Sequence, residues 1–181
     1  MESSHDTFRT IYLGGGCFWC TEAVFQKVRG VQSVVPGYMG GSVPNPSYEA
    51  VCTGATGHAE VVQVIYDTGV IPTSALLDIF FATHDSTTPD RQGADQGSQY
   101  RSIIFYTDEA MRQSALEAVA RTQENVAGRA VVTHVVEAPE FYPAEEYHYS
   151  YYANNTDAPY CVVTIDPKLQ KLLQKFANHV K

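Results

Sequence analysis

No stretch of the 181 residues is apolar for long enough to span a bilayer, which needs about 20. Basic residues are also scarce: 12 Lys and Arg stand against 20 Asp and Glu, a net charge of −8. With no Lys/Arg cluster to offset that balance, binding to a nucleic-acid backbone is excluded as an expected activity. There is no repeat, low-complexity tract or linker, so 1–181 is read as a single domain, with a monomer as the default. Residues 1–10, MESSHDTFRT, are polar and carry acids, which is unlike a signal peptide, so a reducing cytoplasm is the expected compartment. Cysteine is sparse, four in all, and only Cys17 and Cys20 are spaced as a pair. In a reducing compartment such a pair points to catalysis or metal binding rather than a structural staple. Cys52 and Cys161 stand alone, so a zinc half-site at the CxxC lacks a matching second half.

What is present is a globular composition, 44% hydrophobic and 18% charged, with an unusual 12 tyrosines. FRTIYL (8–13) reads as a strand, broken by Gly14-Gly15-Gly16. From Cys17 the pattern turns helical, with Phe18, Val24, Phe25 and Val28 on one face and Gly30 as a natural terminator. VQSVVPGYMGGSVPNPSYEAV, from Val31, reads as a long irregular stretch rich in Gly and Pro. A strand over 60–67, a helix starting at Thr73 or Ser74, and a polar loop over 86–100 follow. Then come a strand over 101–107, an amphipathic helix over 109–125 and a strand over 130–137. An aromatic-rich segment precedes a last short helix, with Asp166 as its cap and Pro167 in its first turn. Cys161 lies in DAPYCVVTID, which reads as a strand. The sum is an α/β domain, a mixed β-sheet with flanking helices and two long loops around a strand–glycine–helix corner.

That corner, GGGCFWC, carries the strongest chemical signal. A cysteine at the first turn of a helix sits by unpaired N–H groups and the positive end of the dipole, which favours the nucleophilic thiolate. Glycines before it let the chain turn sharply and let a ligand come close. Cysteines at i and i+3 on a helix lie within disulfide range. If Cys17 and Cys20 face a cleft, Phe18 and Trp19 cannot both enter the core, and at least one lines an apolar wall beside the thiolate. Two ordinary core rings and two core cysteines are the plain alternative.

TGHAEVV (56–62) places His58 and Glu60 at the mouth of a strand. An H-x-E also occurs in zinc deaminases, but there the proline-cysteine pair follows it, whereas here the CxxC comes first and has no proline. A glutamate among apolar residues is instead held protonated by desolvation and can donate that proton. His58 reads first as a hydrogen-bonded structural histidine. GADQGSQYRS (93–102) offers Asp95 and Tyr100, and NPSYEAV offers Tyr48; tyrosine hydroxyls are neutral donors to an oxygen that gains charge. AEEYHYSYY (144–152) is either cleft wall or core.

GGGCFWCTE, PGYMGG, YEAVCTGATGHAEVV, DRQGADQGSQYRS, AEEYH and DPKL together resemble the methionine sulfoxide reductases of type A, in that family's order, over about residues 9–175. The resemblance implies an α+β roll and reduction of methionine-S-sulfoxide, free or in oxidised proteins. It implies Cys17 as nucleophile, Glu60 as proton donor, and Tyr48, Tyr100 and Asp95 as partners in the same site. Phe18 and Trp19 would form the pocket for the methyl group, with Gly57 and His58 in the substrate-binding stretch. No cofactor is implied beyond an external thiol reductant, thioredoxin or glutaredoxin. The chain departs from the commonest family pattern, which has Gly at position 20 and resolving cysteines in a C-terminal tail. Here Cys20 is expected to resolve the sulfenic acid at Cys17 in a 17–20 disulfide, with Cys52 as the main competitor. A general thioredoxin-like disulfide oxidoreductase and a zinc protein remain the alternatives.

Overall fold

The computed structural model describes residues 7–181; the expectation about residues 1–10 therefore falls partly on 1–6, outside the described residues. Alternating apolar residues build the strands of one six-stranded sheet: β1 (Phe8–Gly14), β2 (Val31–Met39), β3 (Ala59–Asp67), β6 (Ile103–Tyr106), β7 (His134–Glu137) and β8 (Tyr142–Pro143). Their spatial order is β7-β6-β1-β3-β2-β8. All pairs are antiparallel except β6–β7. That parallel pair needs a crossover, and helix α4 (Glu109–Asn125), capped by the Asp108 carboxylate on the Met111 N–H, supplies it. The sheet is thus mixed, as the sequence leads one to expect.

Period-2 alternation divides the sheet into two faces. Val62, Val64 and Tyr66 of β3 join Ile11, Leu13 and Tyr38 in the main core, covered by α1 (Phe18–Phe25), α3 (Thr73–Ala82) and α6 (Asp166–Lys175). Ala59 and Val61 point the other way, into a smaller cluster with Met39, Ile103 and Phe105. Glu60 has the parity of Val62 and Val64, so the strand turns its carboxyl toward α1. In register it lies directly across from Tyr38. Seven of the eight α1 residues are buried, so this helix is a core element rather than an amphipathic cover.

Several expected boundaries differ. The stretch from Val31, read as irregular, begins with the nine residues of β2 despite Pro36 and Gly37. Pro36 survives because its carbonyl accepts the Ala144 N–H at 2.9 Å just past the short pairing with β8. Proline is tolerated where no ladder bond is asked of its nitrogen. The 86–100 loop contains a small hairpin, β4 (Arg91–Gln92) and β5 (Asp95–Gln96). The strands expected over 101–107 and 130–137 shorten to 103–106 and 134–137. Cys161 is not in a strand: Cys161–Ile165 is a π-helical turn leading straight into α6. Cys161, Ile165, Leu169 and Leu172, spaced four, four and three apart, are all buried, and that helical stripe overrides the β-branched run. Asp166 does not cap α6; it accepts the Tyr152 hydroxyl at 2.5 Å.

Gly41 closes the long loop onto the site. A Cβ there would stand 2.4 Å from both the His58 nitrogen and the Thr56 oxygen, backbone atoms that cannot give way. Gly41→Ala is expected to cost about 1–3 kcal/mol, measured by urea unfolding; an unchanged midpoint would show that the loop is free to shift.

Candidate active site

The end of β1 and the start of β3 lie side by side, with Leu13 across from Val62. The chain leaving β1 must therefore turn beside Glu60. It does so through Gly16, whose φ is +99° and whose absent side chain makes room for Gln92. Cys17 takes the N-cap position of α1 without a side-chain cap bond. The first free N–H of the helix, that of Phe18, donates to Glu60 Oε1 at 3.1 Å. Glu60 Oε2 is buried with no hydrogen-bond partner. Burial, the largest influence, pushes the Glu60 pKa up to about 8, with the Phe18 N–H pulling the other way. A carboxyl tied at one oxygen and carrying a proton near an unoccupied position at the other is built to donate.

The two thiols behave differently from the simple helix-dipole expectation. Cys17 is 7% and Cys20 1% exposed. Burial raises the Cys17 pKa well above the ordinary thiol value, reinforced by its hydrogen bond with Cys20 and the nearby Glu60. The Trp19 N–H opposes this but does not prevail. Cys20 is lowered to about 7, first by its hydrogen bond with Cys17, with Lys168 and Tyr160 adding to the effect against burial. Of the pair, Cys17 is the thiol that burial holds protonated, and Cys20 is the one that gives up its proton more readily.

Tyr48 starts α2 (Tyr48–Cys52), and Tyr100 ends the turn after β5. Burial raises both phenols, and the charges of Glu60 and Cys17 act on both, so these four groups share one site. Both tyrosines stay protonated donors. Asp95 also acts on Tyr100, and its Oδ2 accepts the Tyr160 hydroxyl at 2.9 Å. Phe18 is fully buried, 5.0 Å from the His148 ring and 5.7 Å from Tyr38 between centroids. Trp19 is the partly exposed ring of the two. It stacks on Tyr151 at 3.8 Å and 8° and donates its indole N–H to His148 Nδ1 at 3.0 Å.

His58 and Gly57 do not join this group. His58 is 2% exposed, accepts the Gly41 N–H at Nδ1 (2.9 Å) and contacts the Val43 carbonyl through Nε2 (2.6 Å). Both nitrogens are spent on backbone, so it braces the loop and is not available to substrate or metal. Gly57 meets Gly41 and lends its carbonyl to Arg101. Among the described residues no three His, Cys, Asp or Glu side chains gather as a metal cluster. Nor is any described helix long and apolar enough to cross a membrane.

The structure adds residues that the sequence left undecided or unnoticed. Glu145 accepts the hydroxyl of Tyr38, the N–H of Tyr48 and the hydroxyl of Tyr147, fastening 144–148 over the site. His148, from the same segment, supports Trp19. Tyr160 and Lys168 surround Cys20. The AEEYH motif was the visible signal for the first two; Lys168 lies in the DPKL motif and Tyr160 beside Cys161 in DAPYC, but nothing in either stretch tied them to Cys20, which they meet only through long-range packing.

The family model for peptide methionine sulfoxide reductase matches residues 9–180. A peptide methionine sulfoxide reductase MsrA from Sulfolobus acidocaldarius is 56% identical over 166 residues, 92% of this chain and 94% of that relative. Among solved structures, methionine sulfoxide reductase A of Corynebacterium diphtheriae superposes with a TM-score of 0.79 at 35% identity, covering 84% of this chain and 77% of the other. Mxr1 from Saccharomyces cerevisiae in reduced form gives 0.79 at 33% identity, covering 88% and 92%.

Proposed function

The chain belongs to the peptide methionine sulfoxide reductase family and reduces methionine sulfoxide to methionine, and we propose that Cys17 attacks the sulfoxide sulfur while Glu60 protonates its oxygen. The observation that carries this reading is the Glu60 carboxyl: one oxygen tied to the Phe18 N–H, the other buried and unpartnered beside Cys17. Sulfoxide oxygen leaves poorly as oxide, so its release requires a proton. Tyr48 and Tyr100 donate to the same oxygen as it gains charge. Phe18 and Trp19 form the apolar pocket for the methyl group.

The attack first forms a bond between Cys17 Sγ and the substrate sulfur as Glu60 protonates the oxygen; that bond and the substrate S–O bond then break as the hydroxyl passes to Cys17 and methionine leaves. The substrate sulfur gains two electrons and Cys17 loses two, becoming a sulfenic acid. The Cys17 thiol proton replaces the one Glu60 lends, so no proton is gained or lost overall. Cys20 then attacks the Cys17 sulfur, the S–O bond breaks, hydroxide leaves and is protonated to water, and a 17–20 disulfide remains. An external dithiol, thioredoxin by preference over glutaredoxin, returns both thiols. The S epimer is the proposed substrate, free or within oxidised proteins, and the proposed working form is a cytoplasmic monomer.

The test is a single turnover without reductant. Reduced protein and methionine-S-sulfoxide should yield one methionine per chain, the loss of two thiols and a mapped Cys17–Cys20 bridge. Cys17→Ser should yield no methionine. A bridge to Cys52 or Cys161 would keep the reduction and overturn the recycling step.

A further inference from the structure

Cys20 is enclosed by groups that the reduction of the sulfoxide does not use. Its sulfur lies 3.3 Å from the Tyr160 hydroxyl, and Tyr160 donates its single hydrogen to Asp95 Oδ2 at 2.9 Å. The tyrosine oxygen therefore faces Cys20 as an acceptor, so a Cys20 S–H has a path to Asp95 through Tyr160. On the other side, a small, partly enclosed cavity is lined by Cys20, Thr83, His84 and Lys168 among others. Lys168 donates to the Thr83 carbonyl at 3.0 Å and makes no ion pair with a carboxylate among the described residues. Apart from its own desolvation, the strongest influence on its charge is Cys20, followed by Cys17 and Asp95. A partly buried cation without a carboxylate needs another counter-charge, and the sulfur of Cys20 lines the same cavity.

We infer that Lys168 and Tyr160, with Asp95, form a cradle that removes the proton from Cys20 and holds its sulfur as the attacking thiolate in the bridge-forming step. This rests on the reading of Cys20 as the resolving cysteine. The proton passes from Cys20 to the Tyr160 oxygen as the Tyr160 proton moves to Asp95. The thiolate then forms the S–S bond as the S–O bond at Cys17 breaks, and the hydroxide released takes the proton that Cys20 gave up, so that Asp95 returns to its carboxylate. Lys168 is a positioning residue: it touches neither substrate nor the oxygen that leaves. The other groups facing this thiol are Cys17 from α1, Glu60 from β3, Asp95 from β5 and Cys161 from the turn before α6. His84 at the end of α3 and Lys171 on α6 act on Lys168 itself or are acted on by it.

The experiment follows a first turnover with methionine-S-sulfoxide, recording methionine released and bridge formed separately across pH. In Lys168→Met, methionine release should match the parent. Bridge formation at neutral pH should slow at least about tenfold, with its profile displaced upward by roughly one pH unit. The waiting sulfenic acid should be captured by a 1,3-diketone probe. Lys168→Arg should restore the parent profile. An unchanged rate and profile in Lys168→Met would overturn the cradle. Should that variant not fold, ultraviolet titration of the Cys20 thiolate decides by comparing Cys17→Ser, whose hydroxyl can keep the hydrogen bond to Cys20, with Cys17→Ser/Tyr160→Phe: the midpoint should be higher in the double variant. Equal midpoints would overturn the inference. A parent that releases no methionine would instead sink the reading of the site, and the thiol titration would still judge the cradle.

Discussion

Glu60→Gln is expected to slow methionine release by about 10²–10⁴-fold while leaving the fold intact. The amide oxygen of the glutamine still accepts the Phe18 N–H, so the 3.1 Å anchor survives. What is lost is the proton at the other, unpartnered oxygen. The parent's protonated fraction declines as pH rises through about 8, and its release rate should fall on that limb; the variant should not show it. Stability supplies an independent check. Folding raises the Glu60 pKa from the usual 4.5 to about 8, so the native state binds the proton more tightly than the unfolded one. The stability this contributes is fully present below about 4.5 and is lost as pH rises through about 8. Glu60→Gln, which never ionises, should therefore be less sensitive to alkali than the parent in urea melts. Full activity in Glu60→Gln would end its role as donor.

Cys20→Ser should release one methionine per chain and then stop, because the sulfenic acid has no partner for the bridge. With thioredoxin and its reductase present, the parent should cycle, and the variant should lose nearly all continuous turnover. Both cysteines are buried side by side at the start of one helix. Cys52 is exposed, on α2, and its pKa is raised rather than lowered, first by burial and with Glu60 and Glu49 adding to it. A thiol of that kind attacks slowly at neutral pH. An intramolecular bridge still mapped in oxidised Cys20→Ser would mean that Cys52 or Cys161 resolves the sulfenic acid.

The places where sequence and structure part company have physical causes. β2 was hidden because Pro36, Gly37 and Gly40 read as breakers; the proline sits where the pairing with β8 gives out and no ladder bond is missed. The CVVTI turn was hidden because β-branched residues favour strands, yet tertiary burial of one helical stripe won. The helix-dipole argument placed the thiolate on Cys17. It neglected that a residue almost fully enclosed beside a carboxyl and a second thiol resists charge more than one turn of helix encourages it. The resemblance placed His58 in the substrate-binding stretch, whereas its own setting read as a hydrogen-bonded structural histidine; its bonds to the Gly41 N–H and the Val43 carbonyl, made just before β3 begins, agree with the second reading.

By itself the sequence determined the local chemistry. Glycines before Cys17 allow the turn, three residues to Cys20 allow the bridge, and the parity of Glu60 with Val62 and Val64 aims its carboxyl at the core side of the sheet. Each of these follows from backbone geometry within a few residues. Only the tertiary structure decided which thiol keeps its proton, which oxygen of Glu60 is left without a partner, and that Tyr160, Lys168 and Asp95 converge on Cys20. Those outcomes depend on burial and on charges brought together across 65 to 140 positions of chain, as in the Tyr160 contacts with Asp95 and Cys20. No local pattern encodes such distances, because they arise when separate elements pack over one core.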